Sequence, residues 1–97
     1  MIYRVISAAP APGKTAEAIK WLNDITAYMN EHYNDAHFEA VMSMDGPTML
    51  HSIARYESLT ALDEVSKQWA LDPKSAEVDK ESPVVFPTGE IHFFQSL

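Results

Sequence analysis

Apolar and polar positions change period several times along the chain, and each change marks an element. From Ile2 to Ala9 the chain is rich in Ile, Tyr and Val, then stops at Pro10-Ala11-Pro12-Gly13. That is a strand closed by a breaker cluster. From Lys14 to Tyr33 the period becomes helical: Ala18, Ile19, Leu22, Ile25, Met29 and Tyr33 form one apolar stripe. Glu17 suits the positive end of that helix, and Asn34-Asp35 suits the exit. Phe38 to Met44 alternates and reads as a strand. Asp45-Gly46-Pro47-Thr48 is a turn, and Met49 to Tyr56 returns as the partner strand of a hairpin.

Ser58 is placed to cap a second helix, whose stripe is Leu59, Leu62, Val65 and Trp69. Asp72-Pro73 interrupts it, with Asp72 able to cap and Pro73 suited to the first position of another turn. The pattern predicts a short polar helix from Lys74 to about Lys80. Pro83 and Pro87 then bracket a crossing segment, Val84-Val85-Phe86. Glu90 to Ser96 closes the chain as a strand.

The order strand, helix, strand, strand, helix, strand is the split βαβ or ferredoxin-like arrangement. It predicts one α+β domain over residues 1–97: a four-stranded antiparallel sheet with two helices on one face. The expected strand order is 4-1-3-2, with the first and third strands as parallel neighbours. On that register Arg4 and Arg55 do not meet, and His51 lies level with Arg4. Arg55 approaches His92 on the last strand or pairs with Glu39 across the hairpin.

A sheet wet on one side should alternate cleanly, and these strands do not. Tyr3 and Val5 lie between Ile2, Ile6 and Ala8. Phe94 accompanies Ile91 and Phe93, and Leu50, Ala54 and Tyr56 accompany Met49 and Ile53. Both sheet faces therefore call for cover, and a second copy packed face to face would supply it with two-fold symmetry.

Composition narrows the classes. Hydrophobic residues are 46% of the chain and charged residues 22%, typical of a globular domain. The 14 acidic against 7 basic residues give a net charge of −7, and the lysines are scattered, so neither nucleic acid nor an anionic membrane surface is an expected partner. No apolar run is long enough to span a bilayer. Arg4 interrupts the N-terminal apolar stretch, so Met1 to Pro12 is expected to be a strand of the folded protein and not a signal segment. The absence of cysteine excludes thiolate chemistry and fits a cytoplasmic location.

The whole pattern resembles a known family. A strand, a Pro/Gly turn, a helix containing Trp21 and a hairpin precede the segment YESLTALDEVSKQW (residues 56–69), with LDP shortly after. This resembles the dimeric α/β-barrel superfamily, including antibiotic-biosynthesis monooxygenase-like and NIPSNAP-like domains. The resemblance carries the aromatic–acid–Ser-Leu opening of the second helix, Tyr56-Glu57-Ser58-Leu59. It implies a barrel built by two subunits, with a cleft in each between helices and sheet. It implies no single activity, because the superfamily hosts several.

Few residues carry chemistry. His32, His37, His51 and His92 show no metal-ligand spacing, so no metal site is expected. Glycine is too sparse for a phosphate-cradling loop, and no nucleophile elbow is present. No cofactor is expected. All five lysines fall in predicted helices or loops, whereas Arg4 and Arg55 fall in strands. The ordinary role of a strand arginine is an ion pair. The functional alternative is an anchor for a carboxylate or phenolate. In some relatives a Trp in the second helical region borders a pocket for a flat aromatic substrate or haem, which points to Trp69. The strand-one Asn and later His of haem-degrading relatives are absent here, where Ser7 and a histidine-free stretch after Trp69 stand instead. The candidate pocket set is therefore His51, Arg55, Trp69, Arg4, His92 and Tyr56.

Two readings follow. One is a small dimeric enzyme resembling the cofactor-independent monooxygenases, acting on a small apolar or aromatic molecule that His51 or Arg55 polarises. The other is a non-catalytic ligand-binding or assembly domain whose outer sheet face serves only dimerisation.

Overall fold

A computed structural model describes all residues from Met1 to Leu97. Its elements are β1 (Ile2–Ala8), α1 (Thr15–His32), β2 (Ala36–Met42), β3 (Leu50–Tyr56), α2 (Leu59–Leu71), α3 (Pro73–Val85) and β4 (Glu90–Gln95). The four strands form one antiparallel sheet in the order β2-β3-β1-β4. The α+β, ferredoxin-like class read from the sequence is the class observed. No helix is long and apolar enough to cross a membrane.

Two expectations are corrected. β1 and β3 are antiparallel neighbours, not parallel ones. The helical crossover makes β2 run with β1, and the hairpin then reverses β3 against both. Tyr3 consequently faces Arg55, Arg4 faces Ala54, and His51 faces Ser7, so His51 is not level with Arg4. The third helix is also longer than expected and runs through Pro83 to Val85. Pro83 has no N–H, so the Asp79 carbonyl loses its helical partner. The last turn is held from outside instead. Val85 is buried against Ala18, Leu22 and Leu50, and its carbonyl accepts the Ala11 N–H at 2.8 Å.

The predicted helix starts are present. Ser58 caps α2 by accepting from the Ala61 N–H at 3.1 Å. Asp72 caps α3 by accepting from the Lys74 N–H at 2.9 Å, with Pro73 following it. Asp72 does more. It also accepts the hydroxyls of Tyr33, at 2.7 Å, and Tyr28, at 2.9 Å, and so pins the end of α1 to the α2–α3 junction. The Tyr33 hydroxyl and the Lys74 N–H hold the Asp72 carboxyl below its usual range. Burial, then the Asp72 bond, pushes the Tyr33 hydroxyl well up. The signs fix the pH window. The lowered acid contributes stability above about pH 4 that is lost as pH falls further, and the raised phenol contributes stability below about pH 10 that is lost as pH rises through its folded value. Tyr33→Phe is expected to lower stability by about 1 kcal/mol inside that window and by less at either extreme. Urea unfolding at acid, neutral and alkaline pH would measure it.

The sheet separates two sets of side chains. Ile2, Arg4, Ile6 and Ala8 of β1 share the helix side with Phe38 of β2 and with Leu50, Ser52, Ala54 and Tyr56 of β3. The core there lies in two clusters. One joins Ile2, Met29, Tyr33, Phe38, Ala54, Tyr56 and Val65; the other joins Ala18, Leu22, Leu50 and Val85. The outer face has an apolar centre, Tyr3, Val5 and Ile53, framed by His37, Glu39, His51, Arg55, Glu90 and His92. On the edge strand β4, Ile91, Phe93 and Phe94 are 59%, 58% and 54% exposed.

Candidate functional site

Between the two core clusters lies a cavity of about 450 Å³. Met29 and Phe38 wall it from one cluster, Leu22 and Leu50 from the other. Arg4, Ile6 and Ser52 form its sheet wall, and Val78, Asp79 and Ser82 of α3 stand opposite. Trp69 and Trp21 also line it. Its size and mostly apolar lining are those of small-molecule sites. α3 makes its cap and its buried contacts at its ends, at Asp72 and at Val85, and its middle, tied to α1 through Glu81, turns Val78, Asp79 and Ser82 to the cavity.

Each aromatic wall is held in place. Trp69 meets the Tyr33 ring edge-on at 6.1 Å, and Tyr33 is itself held by Asp72. Trp21 meets Phe86 edge-on at 6.0 Å and directs its Nε1–H to Glu81. Only two lining residues are ionisable, Arg4 and Asp79. Arg4 enters from the sheet side; its Nε is buried and has no hydrogen-bond partner.

The structure divides the candidate set. Arg4 and Trp69 line the cavity together. Tyr56 shares their side of the sheet but is 1% exposed in the core, where it packs against Phe38. Burial raises its hydroxyl pKa. His51, Arg55 and His92 lie on the outer face, across the sheet from the cavity. Arg55 pairs with Glu39 at 3.0 Å, one of the two arrangements expected for it, and His92 contacts Glu90 at 3.2 Å. His51 bridges Ser7 through Nδ1 at 2.7 Å and Ser43 through Nε2 at 2.9 Å. A neutral imidazole donates from one nitrogen and accepts at the other, so the two serines take opposite roles. The bridge ties β1 to the exit of β2. His51 and Arg55 therefore do not reach a molecule in the cavity.

The sequence reading missed Ser52, Asp79 and Ser82. Ser52 carried a usable signal: it is a polar residue in the inward phase of Leu50, Ser52, Ala54 and Tyr56. Asp79 and Ser82 carried none, because α3 has no apolar stripe to show which side faces the sheet.

The fold and cavity define a ferredoxin-like α+β protein with a ligand-sized cleft between helices and sheet. Solved structures share that fold over nearly the full chain. A NIPSNAP domain protein from Burkholderia xenovorans matches at a TM-score of 0.80 with 17% identity, covering 100% of this chain and 95% of its own. A protein from Caulobacter crescentus, provisionally named an antibiotic biosynthesis monooxygenase, matches at 0.77 with 18% identity, covering 99% and 89%. A protein of the same provisional name from Deinococcus radiodurans matches at 0.75 with 12% identity, covering 100% and 93%. At these identities the likeness is one of fold, the fold that the sequence resemblance implied. No family model matches the chain, and no curated protein matches it.

Proposed function

We propose that the cavity binds a small apolar or aromatic molecule and that the protein acts on it as a cofactor-independent monooxygenase. The observation carrying this is the apolar cavity itself, walled by Trp69, Trp21 and Phe38, with Arg4 facing in from the sheet. A phenol is a suitable substrate. The Arg4 guanidinium stabilises its phenolate, and Asp79, the one carboxylate lining the cavity, takes the proton. The electron-rich anion then reduces dioxygen. One oxygen atom enters the ring, and the other leaves as water with the two hydrogens that the phenol loses in becoming a quinone. His51 and Arg55 have no part in this chemistry. The fold likeness to provisionally named monooxygenases supports the reading without assigning the activity.

Oxygen consumption with a panel of phenols and quinols tests it. The expected result is substrate-dependent uptake above the buffer rate, slowed about 100-fold in Arg4→Met. No turnover in air would overturn the enzyme reading. A second reading, ligand binding without turnover, is favoured by the scarcity of acid–base groups in the cavity, where Asp79 alone can accept a proton. Binding without oxygen uptake would establish it.

The outer sheet face, in this reading, is covered by a second copy of the chain. Its Tyr3, Val5 and Ile53 centre and the exposed Phe94 support that pairing. A cytoplasmic location fits the absence of cysteine.

A further inference from the structure

Arg4 is the only cation lining the cavity, and the chain supplies it with no counter-ion. It takes part in none of the ion pairs within 4.0 Å, although 14 acidic residues are available. Asp79 lines the same cavity without pairing to it. Arg55 provides the contrast. Its Nε is also buried without a partner, but its guanidinium has Glu39 at 3.0 Å. A guanidinium that lines an apolar cavity without a counter-ion is costly. It is tolerated where a ligand completes it.

We propose that the cavity selects a carboxylate on an apolar, ring-sized body, held end-on by the two Nη atoms of Arg4. Nε is closed off from solvent, the terminal Nη atoms have no ion-pair partner, and two parallel N–H donors match the two oxygens of a carboxylate. Ser52 lines the same wall and adds a hydroxyl donor. The ring lies among Trp69, Met29 and Phe38. Asp79 stands at the α3 side of the cavity and disfavours a second negative group there, so a monoanion is preferred over a dianion. The inference rests on the cavity being a ligand site and is independent of whether the ligand is oxidised.

Calorimetric titration with 2-naphthoate and with 2-naphthalenemethanol, its neutral counterpart, tests it on the intact protein near neutral pH. Naphthoate is expected to bind at least about tenfold more tightly. Arg4→Met should abolish that preference while circular dichroism shows the fold retained. Arg4→Lys keeps the charge and loses the fork, and should retain a smaller preference. If Arg4→Met does not fold, Arg4→Lys decides: its preference must fall below that of the wild type. Equal affinities in the wild type, no binding of either probe, or a preference unchanged by substitution of Arg4 would overturn the proposal. Naphthoate is only a binding probe, so absent oxygen uptake with the carboxylate preference intact would remove the oxidation reading and leave this one standing.

Discussion

Tyr56→Ala is expected to lower the free energy of unfolding by about 3–5 kcal/mol, the cost of removing a large buried aromatic. That is a large share of the roughly 5–15 kcal/mol typical of such domains. Tyr56 is 1% exposed, faces Ile2 across the β1–β3 register and packs edge-on with Phe38 at 6.4 Å. Its ring closes the larger core cluster beneath α2. Its hydroxyl has no hydrogen bond in the structure, so Tyr56→Phe should change stability by less than about 1 kcal/mol. Urea unfolding of the two variants separates ring from hydroxyl. The competing expectation, from its place among the candidate pocket residues, is lost ligand binding with stability intact. That result would contradict the core placement.

Ile53→Asp is expected to convert a dimer wholly to monomer. Ile53 lies at the centre of the outer face, between Val5 on β1 and Glu39 on β2 in the register. An aspartate there would bury a charge in the proposed interface, and Glu39 beside it adds like-charge repulsion. The substitution points away from both core clusters, so the folded monomer should persist. Light scattering of the wild type at micromolar concentration should give twice the chain mass, and the variant the chain mass alone. A monodisperse wild-type monomer would end the proposal that a second copy covers this face.

The candidate residues show how far the sequence could be read. Arg4 and Arg55 looked alike, each an arginine in a strand. Their difference is one of phase. Arg4 shares the inward phase with Ile2, Ile6 and Ala8, whereas Arg55 shares the outward phase with His51 and Ile53. That phase was legible once the apolar partners on each strand were counted. Their relative height is not, because it depends on strand direction, and the strands expected to be parallel are antiparallel. The same error set His51 beside Arg4 in place of Ser7. For α3, the polar pattern ends the helix near Lys80 and leaves Pro83 to bracket a crossing segment, whereas burial of Val85 accompanies a helix that runs through Pro83.

Element order, the caps at Ser58 and Asp72, and the ferredoxin-like class are legible along the chain. These depend on neighbours within a turn or a hairpin, and residue type and spacing carry that information. Which side chains meet depends on the folded arrangement. It placed Tyr56 in the core, set His51, Arg55 and His92 on the outer face, and brought Arg4 and Trp69 to one cavity. Arg4 and Trp69, 65 positions apart, line one cavity through sheet register and the packing of α2 on the sheet, and neither is written in any local stretch of the chain.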